Sequence, residues 1–129
     1  IDALRRPEVE GKQPAWEIYI NGGRTATGID ALEWVEGLVD RGAGELVLNS
    51  IDADGTRQGY DLELNREVAQ RVQVPIVASG GAGTMEHIRE VLTTGEASAA
   101  LAASIFHFQQ HSIPEVKDYL AQTGVVVRL

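Results

Sequence analysis

The chain has 129 residues, 43% of them hydrophobic and 23% charged, with a formal net charge of -8, which is the make-up of one folded domain and not of a disordered segment. The dispersed 11 Lys and Arg exclude the basic stripe of a nucleic-acid surface. The lack of cysteine excludes disulfides and thiolate metal sites, and no apolar run approaches the ~20 residues that cross a membrane.

In chain order, Ile1-Asp2-Ala3 is the stub of a strand. The sequence opens on Ile1 without methionine and without a basic-then-apolar leader, so a cytoplasmic protein is expected, either a fragment or a processed product of a longer chain. Trp16 to Ile20 is a β-rich run between Pro14 and Asn21-Gly22-Gly23, the pattern of a strand in a hairpin. Asp30 is placed to cap a helix carrying Leu32, Val35, Leu38 and Val39 on one face and ending at Gly42.

Glu45 to Ser50 is a short apolar strand without alternation. Asp61 then starts a helix with Leu64, Val68 and Val72 on one side. Pro75 to Ser79 is a second strand of this kind, followed by a helix capped by Thr84, carrying Ile88, Val91 and Leu92 and closed by Gly95. Ala99 to Ser104 is a third, and Ile113 to Gln122 is the last helix. Trp16 and Trp34 are expected in the core, and His87, His107 and His111 on helices or the surface, since they lack ligand spacing.

Short apolar strands alternating with amphipathic helices indicate an α/β fold with a parallel sheet. A doubly wound open sheet and a part of a (βα)8 barrel both fit. The small residues Ala78, Ala100 and Ala102 on very short strands favour the curved barrel. A whole barrel takes ~250 residues, about twice this length, so residues 1–129 are expected to form one half-barrel without a linker or internal repeat.

Ligands of a parallel α/β sheet gather at the carboxyl ends of its strands. Those positions hold Asp2, the segment Asn49 to Thr56, the segment Ser79 to Gly83, and Ala103-Ser104. Glycines before a helix start suit a phosphate, because free N–H groups and the helix dipole face it and no Cβ blocks its approach. A tight turn needs such glycines equally. The run is neither a P-loop, which ends in Gly-Lys-Ser/Thr, nor a dinucleotide fingerprint.

Asp52-Ala53-Asp54-Gly55 has the start of a calcium loop, but its glycine comes too early, at the fourth position of the loop instead of the sixth. A turn supplying Gly55 and Thr56 to an anion is the better reading, and no metal site is expected. Ser104 begins a short helix aimed at the same place. Three neighbouring strand ends of this kind together make a phosphate cup a stronger reading than any one alone. Asp2 is a candidate acid/base carboxylate, although a lone Asp is more often a solvated charge. Arg5, Arg6 and Arg57 are read equally well as attractors of a phosphorylated substrate or as solvated charges.

Several segments resemble one family, the cyclase subunit of imidazole glycerol phosphate synthase in histidine biosynthesis. They are Thr27-Gly28, Gly42 to Glu45, Asn49 to Thr56, Gly59-Tyr60-Asp61, Ala78 to Gly83 with Met85-Glu86-His87, Leu101 to Phe108, and Val125 to Leu129. The sister isomerase shares the Ser-Gly-Gly loop, whereas Ala-Leu-Ala-Ala-Ser followed by Phe-His-Phe is similar to the cyclase. The match runs from the end of the family's fifth strand to its last helix.

The resemblance implies a substrate phosphorylated at both ends, each half-barrel holding one phosphate. It also implies ammonia delivered through the barrel base by a glutaminase subunit, ring closure with lysis of a formimino-ribonucleotide, and no cofactor. On that reading Gly55, Thr56, Gly81, Ala82, Ala103 and Ser104 hold a phosphate, Asn49, Asp54 and Ser79 line the pocket, Asp2 is catalytic, and Glu45 belongs to the ammonia gate. The other catalytic aspartate and the other phosphate site belong to the missing strands, so the chain alone is expected to be inactive. Its inward-facing Leu46, Leu48, Ile76 and Ala100 are expected to meet water beside two unpaired edges, driving self-association or pairing with the missing half. A phosphate-binding module without catalysis is the alternative.

Overall fold

The computed structural model describes residues 1–129. Six strands and five helices follow one another as β1 (Asp2–Arg5), β2 (Trp16–Ile20), β3 (Thr25–Asp30), α1 (Ala31–Asp40), β4 (Leu46–Ser50), α2 (Leu62–Ala69), β5 (Ile76–Ser79), α3 (Met85–Thr93), β6 (Ala99–Ala100), α4 (Ser104–His107) and α5 (Ile113–Gln122). They form one sheet in the order β3-β2-β1-β4-β5-β6. Neighbours from β1 through β6 are parallel, as βα units require, while β2 and β3 are antiparallel additions to β1. This is the strand-helix alternation of half a (βα)8 barrel. No helix is long and apolar enough to cross a membrane.

Local chemistry explains the boundaries. Asp30 accepts the N–H groups of Leu32 and Glu33 at 2.9 and 3.2 Å, and Asp61 accepts that of Leu64 at 3.0 Å. These contacts satisfy donors that the first helical turn leaves unpaired. α5 starts with a complete capping box in which Ser112 and Glu115 satisfy each other's backbone N–H, with Pro114 in the first turn. β3 escaped the sequence reading because Thr25–Asp30 is polar and holds Gly28 at φ +75°. It is held as the outer strand of the hairpin turned by Asn21-Gly22-Gly23.

The helices cover one face of the sheet. Leu46, Leu48 and Ile76 point into this layer and are almost completely buried, and Ala100 packs there too. The sequence reading put these four on the opposite face. The strands lack polar-apolar alternation, and a phase error of one residue exchanges the two faces. Val47, 42% exposed, and Leu101, 47% exposed, lie on the open side instead. The sheet has two edge strands as expected, and since the hairpin covers β1 they are β3 and β6.

Two buried clusters divide the layer. One surrounds Trp16, Val35, Leu48, Leu64 and Val68, and the other Ala78, Ile88, Val91, Ile105, Val116 and Leu120. Trp16 is in the first as expected, and Trp34 packs on its margin. The Trp16 Nε1–H donates to Asp61 Oδ2 at 2.8 Å, and Arg5 lies 4.9 Å from the ring while binding Asp61 at 3.1 Å and Glu63 at 2.6 Å. The α2 cap is therefore tied to the end of β1.

Two loops above the sheet touch backbone to backbone. A Cβ on Gly81 would lie 2.0 Å from the Gly59 carbonyl oxygen, and one on Gly83 would lie 2.1 Å from that of Arg57. Gly81 also has φ +106°. The Gly59 N–H returns a hydrogen bond to the Gly81 carbonyl at 2.8 Å. Here the glycines admit a neighbouring loop.

Gly81→Ala combines a backbone clash with an unfavourable φ, and should cost about 3 kcal/mol of stability. A denaturant midpoint unchanged from wild type would contradict the contact. A second prediction concerns Glu86, whose carboxyl is pulled from 4.5 to about 2, first by Arg89 and then by the Tyr119 hydroxyl. A depressed carboxylate adds stability above its ordinary value, and that gain fades as pH falls from 4.5 through about 2. Glu86→Gln should therefore lower the thermal midpoint slightly at pH 7, since the network is exposed. The gap should close as acid is added, and a gap that persists below pH 2 would assign the effect to packing.

Candidate functional site

The parallel register brings residues to one level at the carboxyl ends of the strands. Asp2 pairs with Asn49, and Asn49 with Ser79. They belong to the open face, since Asn49 is two residues from Val47 along β4 and strand side chains alternate. The Asn49 Nδ2 donates to Asp2 Oδ1 at 3.0 Å, and the Ser79 hydroxyl donates to Asn49 Oδ1 at 3.1 Å. The Asp2 carboxylate, which can only accept, fixes which way the amide points, and the Ser79 hydroxyl donates to the amide oxygen. One carboxylate oxygen is held by this chain of contacts, leaving Oδ2 for another partner.

Next to this row lies a cavity of about 150 Å³ lined by Asp54, Gly55, Ser79, Gly81, Ala82, Ala103 and Ser104. Most of the positions singled out in the sequence meet here, drawn from the loops after β4, β5 and β6. The backbone N–H groups of Gly55, Gly81, Ala82 and Ala103 have no protein acceptor, so the wall of the cavity is rich in free donors. α4 begins at Ser104 beside them. Short backbone donors with no bulky side chains can surround an oxyanion closely.

Other positions lie apart. Thr56 is outside this lining, and its hydroxyl donates to the Ala53 carbonyl at 2.7 Å. Glu45 is exposed at the amino end of β4, four residues before Asn49 and so ~13 Å away along an extended strand. Asp52 and Asp54 do not converge on a cation. Asp52 Oδ2 accepts the Arg5 backbone N–H at 2.7 Å, whereas Asp54 lines the cavity. No cluster of three or more His, Asp or Glu residues could hold a metal ion.

Three supports were not legible as such. Arg57 flanks the cavity at φ +59°, and its guanidinium binds the Gln110 side chain. The Tyr60 hydroxyl donates to the Leu101 carbonyl at 2.9 Å, joining the loop after β4 to the end of β6, and burial pushes this phenol well up. His87, read as a helix or surface histidine, accepts the Gly83 N–H through Nδ1 at 3.2 Å. The only signal for these residues was their nearness to the loops, and spacing alone did not reveal their partners.

The family model of the histidine biosynthesis proteins matches residues 1–112. The chain is similar to the imidazole glycerol phosphate synthase subunit HisF of Thermosynechococcus vestitus, at 55% identity over 99% of this chain and 46% of the relative. It is 58% identical to the subunit of the same name from Symbiobacterium thermophilum, over 99% of this chain and 48% of the relative. With that of a Nostoc species it shares 54% identity over 100% of this chain and 49% of the relative. The chain thus spans about half the length of the curated relatives it matches. With parallel βα units, a row of polar side chains at their carboxyl ends and a family match over most of its length, this chain belongs to the histidine biosynthesis protein family.

Proposed function

We propose that residues 1–129 are the carboxyl-terminal half of the barrel of an imidazole glycerol phosphate synthase cyclase subunit, supplying one phosphate site and one acid/base carboxylate. The observation that carries this reading is one cavity lined by Gly55, Gly81, Ala82 and Ala103, whose N–H groups have no protein acceptor, beside the row of Asp2, Asn49 and Ser79. The names of the relatives agree with it.

In this mechanism the cup binds one phosphate of a substrate phosphorylated at both ends, and α4 adds its amino end to the wall. Thr56 stiffens the loop that presents Gly55. Asp54 and Asn49 line the pocket, and Asp2 moves a proton at the reacting ring while Asn49 holds its other oxygen in place. Anchoring the phosphate fixes the distance between the substrate's reactive atoms and Asp2, which is how remote binding energy serves the chemical step. Glu45, at the opposite end of the strands, belongs to the entrance for ammonia from a glutaminase subunit. The reading places the chain in the cytoplasm and requires no cofactor.

The open face supports the expectation of inactivity. The side that carries Asp2 also exposes Val47 and Leu101, so a substrate there is walled by one half of a barrel. This favours pairing with a complementary half or with a second copy. It also favours the second reading, a phosphate-binding half-barrel without chemistry.

Calorimetric titration of the chain with inorganic phosphate should show saturable binding, and its absence would remove the cup. The chain alone should not turn over the phosphoribulosyl substrate with ammonium, whereas mixing it with the complementary half-barrel should restore turnover. Failure of the mixed halves, with phosphate binding intact, would favour the module without chemistry. In the mixed system Asp2→Asn should reduce kcat by about 100-fold or more while leaving phosphate affinity unchanged. Comparable kcat values for variant and wild type would take the acid/base role from Asp2.

A further inference from the structure

The loop after β5 does not hold its shape by its own hydrogen bonds. Gly81 and Ala82 line the cavity and their N–H groups have no protein acceptor, but the next glycine behaves differently. The Gly83 N–H donates to Nδ1 of His87, one turn further along the chain, at 3.2 Å. Since Nδ1 accepts, the bond assigns the ring proton to Nε2. The His87 backbone N–H meanwhile donates to the Thr84 hydroxyl at 3.2 Å, so the residue is anchored to the first turn of α3 before its ring reaches back.

The same ring lies beside the other loop. A Cβ built on Gly59 would lie 3.6 Å from His87 Cδ2 and 3.8 Å from Nε2, which places the imidazole in ordinary contact range of that position. Gly59 in turn donates to the Gly81 carbonyl at 2.8 Å. His87 therefore holds one loop by a hydrogen bond and lies beside the other, which is itself bonded to Gly81.

We infer that His87 is a positioning residue for the phosphate cup: it draws the Gly83 N–H away from the anion and locks the loop so that the Gly81 and Ala82 N–H groups stay aimed into the cavity. The inference rests on the phosphate-cup reading. It assigns His87 no contact with substrate. Preorganised donors bind an anion without first ordering a loop, so loosening the brace weakens binding even when the fold survives.

The side chain of Asn carries Oδ1 on the same Cγ position as the histidine Nδ1, and can accept the same N–H. Gln moves its acceptor one bond further out, and Ala has none. The 129-residue chain and its His87→Ala, His87→Asn and His87→Gln variants would be titrated with inorganic phosphate, and amide exchange at Gly81 and Gly83 followed by nuclear magnetic resonance. His87→Ala should weaken phosphate binding about threefold to tenfold, the effect of losing about one hydrogen bond, and speed exchange at Gly83. His87→Asn should recover most of both effects, and His87→Gln less. Should the alanine variant fail to fold, the Asn and Gln pair carries the same comparison.

Equal phosphate affinity in wild type, Ala and Gln variants would overturn the inference while leaving the cup intact. An Asn variant no better than Ala would do the same, because the acceptor would then be irrelevant. A wild-type chain that does not bind phosphate would overturn the cup itself and with it the role assigned here. Thermal midpoints that fall in parallel with affinity, without rescue by Asn, would identify His87 as a residue of stability alone.

Discussion

The contact on which the candidate site depends is that between two loop backbones. Gly81 sits where a Cβ would be 2.0 Å from a carbonyl oxygen of the loop after β4, and Gly83 where it would be 2.1 Å from another. Such an approach is open only to residues without a Cβ, and it brings two strand ends closer than side-chain packing would allow. Three consequences follow from it. The loop carrying Asp54 and Gly55 is pressed against the loop carrying Gly81 and Ala82, their free N–H groups share one cavity, and His87 can reach both.

A half-barrel divides its work between two faces of one sheet. The helices bury Leu46, Leu48, Ile76 and Ala78, and this layer supplies the burial that holds the chain together. The other face carries Asp2, Asn49 and Ser79 in register, beside partly exposed apolar residues. Buried packing is concentrated on one side and the polar row on the other, so the two can be separated.

Much of this was legible in the sequence. Asp30, Asp61 and Thr84 cap the helices they were assigned to, because a short polar side chain before an apolar periodic run leaves few other roles. The carboxyl ends of the strands were also legible, since the order strand, glycine, helix places them. The phase of the strands was not. Val47 and Leu48 are both apolar, so composition cannot say which turns toward the helices, and tertiary packing decides. β3 was missed for the related reason that its residues are polar and lie at an edge. Long-range partners such as His87 with Gly83 and Gly59, or Tyr60 with Leu101, depend on how two loops meet, which local patterning does not encode.

The glycines bear on the argument in a way that composition could not. A glycine-rich strand end suits an anion, and it equally suits a tight turn. In this chain Gly81 serves both packing and a donor, since its missing Cβ admits the Gly59 carbonyl while its N–H has no protein acceptor. Gly83 serves only the packing, because its N–H is taken by His87. The two glycines therefore separate packing from ligand capture. Contact between the loops sets the shape of the wall, and the donors that contact leaves free determine what the wall can hold.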